Sequence, residues 1–195
     1  MIAKAEREQI IALINREVIP AIGCTEPIAV ALCVAKATET LGCKPEKIQA
    51  LLSANILKNA MGVGIPGTGM IGLPIAIALG ALIGKSEYQL EVLKDSTPEA
   101  VEEGKKLIDS QAINIALKYG IEEKLYIEII CEAEGKKATA IISGGHTNFV
   151  YVARDGEVLV NKQTSATDEA AADDVELTLR KVYDFATTSP IEELK

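Results

Sequence analysis

From Asn59 to Gly84 the chain carries no charged residue, and no other stretch constrains the fold as strongly. Its length alone would permit a membrane span. Gly62, Gly64, Gly67, Gly69, Gly72, Gly80 and Gly84, together with Pro66 and Pro74, argue against one continuous helix. The most apolar part, Met70–Ile83, is too short to cross a bilayer as a helix. The stretch therefore predicts a glycine-rich loop followed by a buried helix near 70–83, and a membrane span is rejected.

A helix that apolar must be surrounded by a core, and the composition supplies one. Hydrophobic residues make up 48% of the 195 positions, with aromatics at 4% and no Trp, so the interior is built from Ala, Ile, Leu and Val. That apolar fraction excludes disorder. Asp and Glu outnumber Lys and Arg by 28 to 20, a net charge of −8, which argues against nucleic acid and anionic membrane surfaces as partners. Lys4, Glu6, Arg7 and Glu8 stand where a signal peptide would need an apolar run. Cys24, Cys33, Cys43 and Cys131 form no C-x-x-C pair, so neither a zinc ribbon nor a thioredoxin-type motif is present. A cytoplasmic protein with reduced thiols is the expectation.

Helices and strands alternate along the chain. Residues 4–18 read as an amphipathic helix with Ile11, Ile14 and Val18 on one stripe, stopped by Pro20. Thr25-Glu26-Pro27 predicts the start of a second helix, with Thr25 as cap and Gly42 as its end. Ile48, Ala50, Leu52, Ala54 and Ile56 alternate with Gln49, Ser53 and Asn55 and predict a strand running up to the glycine loop. Ser96-Thr97-Pro98-Glu99 is a capping box that opens a long helix, with a buried stripe of Val101, Ile108, Ala112, Ile115 and Tyr119 and with Gly120 as its stop. From Leu125 the period becomes two, and strands are expected through Cys131 and at 137–143, 147–154 and 157–162. Asp155-Gly156 marks a hairpin turn between the last two. A last helix is expected over about 168–185, marked by Val175, Leu179 and Val182. Ser189-Pro190-Ile191-Glu192-Glu193 reads as the cap and first turn of another, cut off as it starts, which predicts a fragment or one half of a split protein. The expected fold is a single α+β domain over 1–195, with helices packed on a mainly antiparallel sheet.

Few residues could carry chemistry. Gly62-x-Gly64-x-x-Gly67 mimics a dinucleotide loop, but Pro66 sits inside it and no second parallel strand follows. Gly80–Ser86 is one residue short of a phosphate-binding loop and ends an apolar helix. Gly67, Thr68 and Gly69 could instead form a nest of backbone N–H groups for a carboxylate, or a turn demanded by packing. On a helix Cys24 and Cys33 would face opposite ways, so they cannot share a metal; Cys33 and Cys131 read as buried hydrophobes, and Cys43 lies in a loop. Cys24 stands at a helix N-terminus, where the dipole favours thiolate and predicts the most acidic of the four thiols, with Glu26 opposing that shift. A buried packing thiol is the other reading of Cys24. His146 is the only histidine, which argues against the usual all-protein zinc sites. Lys58 and Asn59, at the expected strand end, could bind an anion or simply be solvated.

Four motifs carry a resemblance across almost the whole chain: Ala21-Ile-Gly-Cys24-Thr-Glu-Pro-Ile28, Asn55-Ile-Leu-Lys58-Asn59, Ile65-Pro-Gly-Thr-Gly69-Met-Ile-Gly-Leu-Pro74 and Ser143-Gly-Gly-His146-Thr-Asn148. In that order they resemble the N-terminal half of the L-cysteine desulfidase family, which is related to the iron–sulfur L-serine dehydratase alpha chain. The resemblance implies a lyase that uses a [4Fe–4S] cluster to eliminate sulfide (or water) and ammonia from L-cysteine (or L-serine), leaving pyruvate. It implies Cys24 as the acid/base and a substrate pocket made by Thr25, Glu26, Asn55, Lys58, Asn59, Gly67, Thr68, Gly69, His146, Thr147 and Asn148. In that family the cluster cysteines lie in the C-terminal half, so no metal ligand is assigned to this chain, and the chain alone is expected to be inactive. The implied partners are an amino-acid substrate and a C-terminal half or partner subunit; a homo-oligomer is left open. Two other classes compete with this reading: a non-catalytic small-molecule-binding module, and an assembly subunit of a two-chain dehydratase.

Overall fold

In the computed structural model, which describes residues 2–162 and 175–194, the chain runs α1 (Lys4–Glu17), α2 (Thr25–Leu41), β1 (Lys47–Leu52), α3 (Ala54–Ala60), β2 (Gly64–Ile65), β3 (Met70–Ile71) and α4 (Leu73–Ile83). It continues through α5 (Pro98–Asp109), β4 (Ile113–Leu117), β5 (Tyr126–Ala133), β6 (Lys136–Ser143), β7 (Phe149–Arg154), β8 (Glu157–Asn161) and α6 (Leu179–Thr188). These elements form two units, one of Pro20–Thr164 and one that joins Met1–Ile19 to Ser165–Lys195.

The larger unit is an α+β fold. Its sheet has the order β4-β1-β5-β6-β7-β8; β1 and β4 are parallel and every other pair is antiparallel. Alternation puts Ile48, Ala50 and Leu52 of β1 with Ile127, Ile129 and Cys131 of β5 on the buried face. Helix α2 packs on that face against β5, β6 and β7, and α4 packs on α2 and α5. The charge-free run from Pro27 to Ala35 is buried all round, as expected for a helix enclosed on every side. Each fully buried Leu or Ile of this core, such as Leu32, Ile77 and Ile129, contributes about 1.5–3 kcal/mol. Among the described residues no helix is long and apolar enough to cross a membrane.

The charge-free stretch divides where its glycines dictate. Gly64–Ile65 and Met70–Ile71 pair as a small antiparallel hairpin, and the apolar helix begins only at Leu73, behind Gly72 at φ +87°. A Cβ on Gly72 would stand 2.7 Å from the Met61 carbonyl oxygen. Further along α4, a Cβ on Gly80 would stand 2.6 Å from the Ala31 carbonyl oxygen of α2. The two helices cross at backbone contact there, which only glycine allows.

Several expectations need correction. The strand expected through Ile56 stops at Leu52, because Ser53 caps α3: its Oγ accepts from the Ile56 N–H at 3.4 Å and donates to the Lys124 carbonyl at 2.8 Å. Ile56 is buried as a helical residue. The long helix opened by Thr97 ends at Asp109, and Gln111 reverses the chain at φ +60°. Ile113–Leu117 then pairs with β1, whose ends are tied by the Ile48 N–H to the Ala112 carbonyl and by the Lys118 N–H to the Leu52 carbonyl, both at 2.8 Å. The spacing of Ile108, Ala112 and Ile115 fits a helix, but Ile113, Ile115 and Leu117 alternate as well, and the non-local partner decides. Tyr119 is exposed, and Gly120 turns a loop at φ +75° rather than a helix end. Thr25 is the first residue of α2 and Cys24 is its cap, with extended backbone.

The meander stands as expected, with Asp155-Gly156 at φ +49° and +89° in the β7–β8 turn. In the smaller unit α1 buries Ile10, while Val18 lies beyond its end and is exposed. Residues 168–174 of the expected last helix lie outside the described residues. Thr178 caps α6, which buries Phe185 and leaves Leu179 and Val182 exposed. Ion pairs tie Lys181 to Glu6 at 2.6 Å and Arg7 to Glu193 at 3.3 Å. Ser189 ends α6, and Ile191–Leu194 forms one 3-10 turn.

Glycine to alanine in a helix ordinarily stabilises by about 1 kcal/mol. Gly80→Ala should reverse that sign and destabilise by about 1–3 kcal/mol through overpacking. Urea denaturation would show it, and a raised midpoint would mean that α2 and α4 are not held at backbone contact.

Candidate functional site

The connector before α2 meets the glycine hairpin. Gly23 lies at φ +87°, and a Cβ there would stand 2.7 Å from Pro66 Cγ. This contact fixes the approach of Cys24 to the helix. Cys24 Sγ donates to Glu26 Oε2 at 3.0 Å, and Thr25 Oγ1 donates to the same oxygen at 3.2 Å. From α3, Asn59 Nδ2 donates to Glu26 Oε1 at 3.4 Å and reaches Asn55 Oδ1 at 3.5 Å. Asn55 and Asn59 meet because they are four residues apart on one helical face. The His146 imidazole, in the β6–β7 connection, lies within electrostatic reach of Glu26. Three separate segments thus converge on one carboxylate.

The electrostatics of this group reverse one expectation. The hydrogen bond from Cys24 holds the Glu26 carboxyl below the usual carboxylate range, against the opposing effect of burial. The same bond, with burial next, raises the Cys24 thiol above its ordinary value. Cys24 is therefore not the acidic thiol that its place at a helix N-terminus predicts. The dipole favours thiolate, but an ionised carboxylate in direct contact with the sulfur favours the proton staying there. At neutral pH the pair is a thiol beside a carboxylate.

The remaining predicted residues divide. Lys58 is exposed on α3, which corrects its expected place at a strand end. Gly67, Thr68 and Gly69 form the tip of the β2–β3 hairpin, with positive φ at both glycines. The Thr68 N–H and Oγ1 both bond the Ile65 carbonyl, at 3.2 and 2.7 Å, and the Met70 N–H bonds Thr68 Oγ1 at 3.0 Å. Those bonds build a tight hairpin tip around Thr68. Asn148 Nδ2 folds back to the Ser143 carbonyl at 2.9 Å, and the Thr147 carbonyl accepts from the Phe149 N–H at 3.1 Å. Both residues shape the loop that presents His146.

Sequence reasoning passed over Ser143. It is 1% exposed and its hydroxyl has no hydrogen-bond partner among the described residues. A buried, unpaired hydroxyl is uncommon enough to mark a position. Its only sequence signal is that it opens the Ser143-Gly144-Gly145-His146 motif. Gly23 was likewise invisible, since its need for glycine comes from Pro66, distant in sequence.

Cys33 and Cys131 share the buried core, apart from Cys24 at the half-buried start of α2. Cys33 Sγ donates to the Ala140 carbonyl at 3.3 Å, and burial pushes this thiol well up. Burial also pushes Cys131 up to about 12. Cys43 follows the end of α2. Among the described residues no three His, Cys, Asp or Glu side chains are grouped to hold a metal ion. The described residues thus do not supply a ligand set for a [4Fe–4S] cluster.

The raised thiol can be measured directly. Alkylation of Cys24 with iodoacetamide, followed by mass spectrometry, should rise only above the ~8.5 of a free thiol. Removing the adjacent charge with Glu26→Gln should move that onset to lower pH, because the thiol form loses its carboxylate acceptor. An onset unchanged by the substitution would show that Glu26 does not hold the proton on sulfur. Cys33 and Cys131, both fully buried, should stay unlabelled while the chain is folded.

No family model matches the chain, and no solved structure matches it. Curated proteins do. A protein of Phocaeicola vulgatus is 80% identical over 195 residues, covering 100% of this chain and 45% of its own length. One from Bacteroides thetaiotaomicron is 70% identical over 98% of this chain and 45% of its own length. A more distant one, from Aeromonas hydrophila, is 41% identical over 98% of this chain and 44% of its own length. The chain spans slightly less than half the length of these relatives, and each of them carries the name UPF0597 protein.

Proposed function

We propose that this chain forms one wall of the active site of an iron–sulfur-dependent lyase that converts L-cysteine or L-serine to pyruvate and ammonia, with release of sulfide or water. The observation that carries the reading is the convergence of Cys24, Thr25, Asn59 and His146 on Glu26, on the motifs that resemble the desulfidase family. The [4Fe–4S] cluster, a Lewis acid toward the leaving group, would be held by the other half of a longer protein or by a partner subunit. Four free cysteines suit a reducing, cytoplasmic setting.

The residues of this chain supply the proton. Cys24 rests as a thiol aimed by Glu26, so it is poised as an acid first. In the elimination the Cα–H and Cβ–S (or Cβ–O) bonds break and a Cα=Cβ bond forms. The Cys24 sulfur gives its proton to the departing hydrosulfide or hydroxide and regains one from the α-carbon, so it ends the cycle as it began. The 2-aminoacrylate released tautomerises to an imine and takes up water to give pyruvate and ammonia. Asn59 positions Glu26, and Asn55 positions Asn59.

In the full-length protein, reconstituted anaerobically, Cys24→Ser should keep the cluster's absorbance and lower kcat by about 10²–10⁴-fold, the usual contribution of a positioned acid/base. Loss of the absorbance would make Cys24 a cluster ligand, and unchanged turnover would make it a packing residue. An active wild-type enzyme free of iron would sink the cluster reading.

A further inference from the structure

Glu26 is a carboxylate held by neutral donors. It accepts hydrogen bonds from a thiol, a hydroxyl and an amide, all neutral. Among the described residues it forms no ion pair, and His146 reaches it electrostatically without pairing. Lys58, one turn from Asn55 on α3, is exposed to solvent. The carboxylate is itself only partly exposed, so part of its hydration is lost with no ion pair in return. The two oxygens also differ. Oε2 holds the two shorter side-chain bonds, whereas the side-chain bond to Oε1 is the long one from Asn59. A carboxylate oxygen has room for more than one donor, so Oε1 offers an open acceptor position next to the Cys24 sulfur.

We infer that Glu26 receives the α-ammonium group of the substrate, and that a free amine is what this site demands of its ligand. The inference rests on the reading of the site as an amino-acid lyase and deepens it. An ammonium group on Oε1 would supply the missing charge in a partly desolvated setting, where a charge-assisted hydrogen bond is stronger than a neutral one. It would also set the substrate's Cα, one bond from the nitrogen, near the thiol that exchanges protons there. The neutral donors have a selective role as well. Because Cys24, Thr25 and Asn59 hold the carboxylate without neutralising it, the site keeps its negative charge for the ligand. An α-keto or α-unsubstituted acid would bring its own negative charge to an unpaired carboxylate and be rejected.

The test compares two probes that differ only in the amine and carry no leaving group, L-alanine and propanoate. Their binding to the full-length protein is measured by titration calorimetry at neutral pH. L-Alanine should bind at least about tenfold more tightly than propanoate, as expected for one charge-assisted contact. Glu26→Gln should bring the two within about twofold by weakening L-alanine alone, and Glu26→Asp, which keeps the charge, should restore most of the preference. Thermal melting of both variants checks that the fold is intact, and the Asp variant keeps the test decisive if the Gln variant fails to fold. A preference that survives Glu26→Gln, or no preference in a protein that turns over L-serine or L-cysteine, overturns the role of Glu26 and leaves the lyase standing. A wild-type protein that turns over neither amino acid and binds neither probe overturns the lyase reading and this inference together.

Discussion

Gly80 lets the backbone of α4 come down onto the Ala31 carbonyl of α2, and the rest of the larger unit depends on that contact. With the axes so close, α4 covers the side of α2 that the sheet does not, and the Pro27–Ala35 run of α2 can be apolar on every face. The chain has no Trp and few aromatics to fill wider gaps, so small residues set the helix spacing and Ile and Leu fill what remains. A core of this kind tolerates added volume poorly, since close-packed interiors have no slack to absorb a methyl group at a backbone contact.

The same packing positions the candidate site. Burying α2 from Pro27 to Ala35 leaves its first turn reachable at one end of the buried run, and the Gly23–Pro66 contact sets the direction from which the chain enters that turn. Cys24, Thr25 and Glu26 are therefore held together by a rigid element and not by a loop. A helix N-terminus should lower both a thiol and a carboxyl, but two such groups in contact cannot both ionise freely. The carboxylate keeps its charge and the thiol keeps its proton. That division gives the pair a donor and an acceptor in fixed places, which suits the proton exchange proposed for the site.

Pattern suffices where the determinant is local. The Asp155-Gly156 turn, the strands around it, the Thr97 cap and the end of α2 at Gly42 all stand as expected. Each is specified within a few residues, by a positive φ, a side-chain cap or a two-residue alternation. The failures share the opposite property. Ser53 ends β1 by bonding Lys124, a residue distant in sequence. β4 is a strand because β1 offers it a parallel edge, although its residues also fit the preceding helix. At the site, Cys24, Glu26, Asn59 and His146 were legible as motif members, but their convergence on one carboxylate, from α3 and from the β6–β7 connection, was not.

By itself the sequence determined which segments are buried, where the chain turns and which side chains are chemically able to act, because these follow from side-chain volume, backbone freedom and local hydrogen bonding. Tertiary structure decided which of those side chains meet and what state they are in. Whether Cys24 is thiolate or thiol turns on where the Glu26 carboxylate points, and that direction is set by Thr25 beside it and by Asn59 on another helix. Charge interactions depend on distances of a few ångströms between groups that are not neighbours in sequence, and only the folded chain supplies those distances.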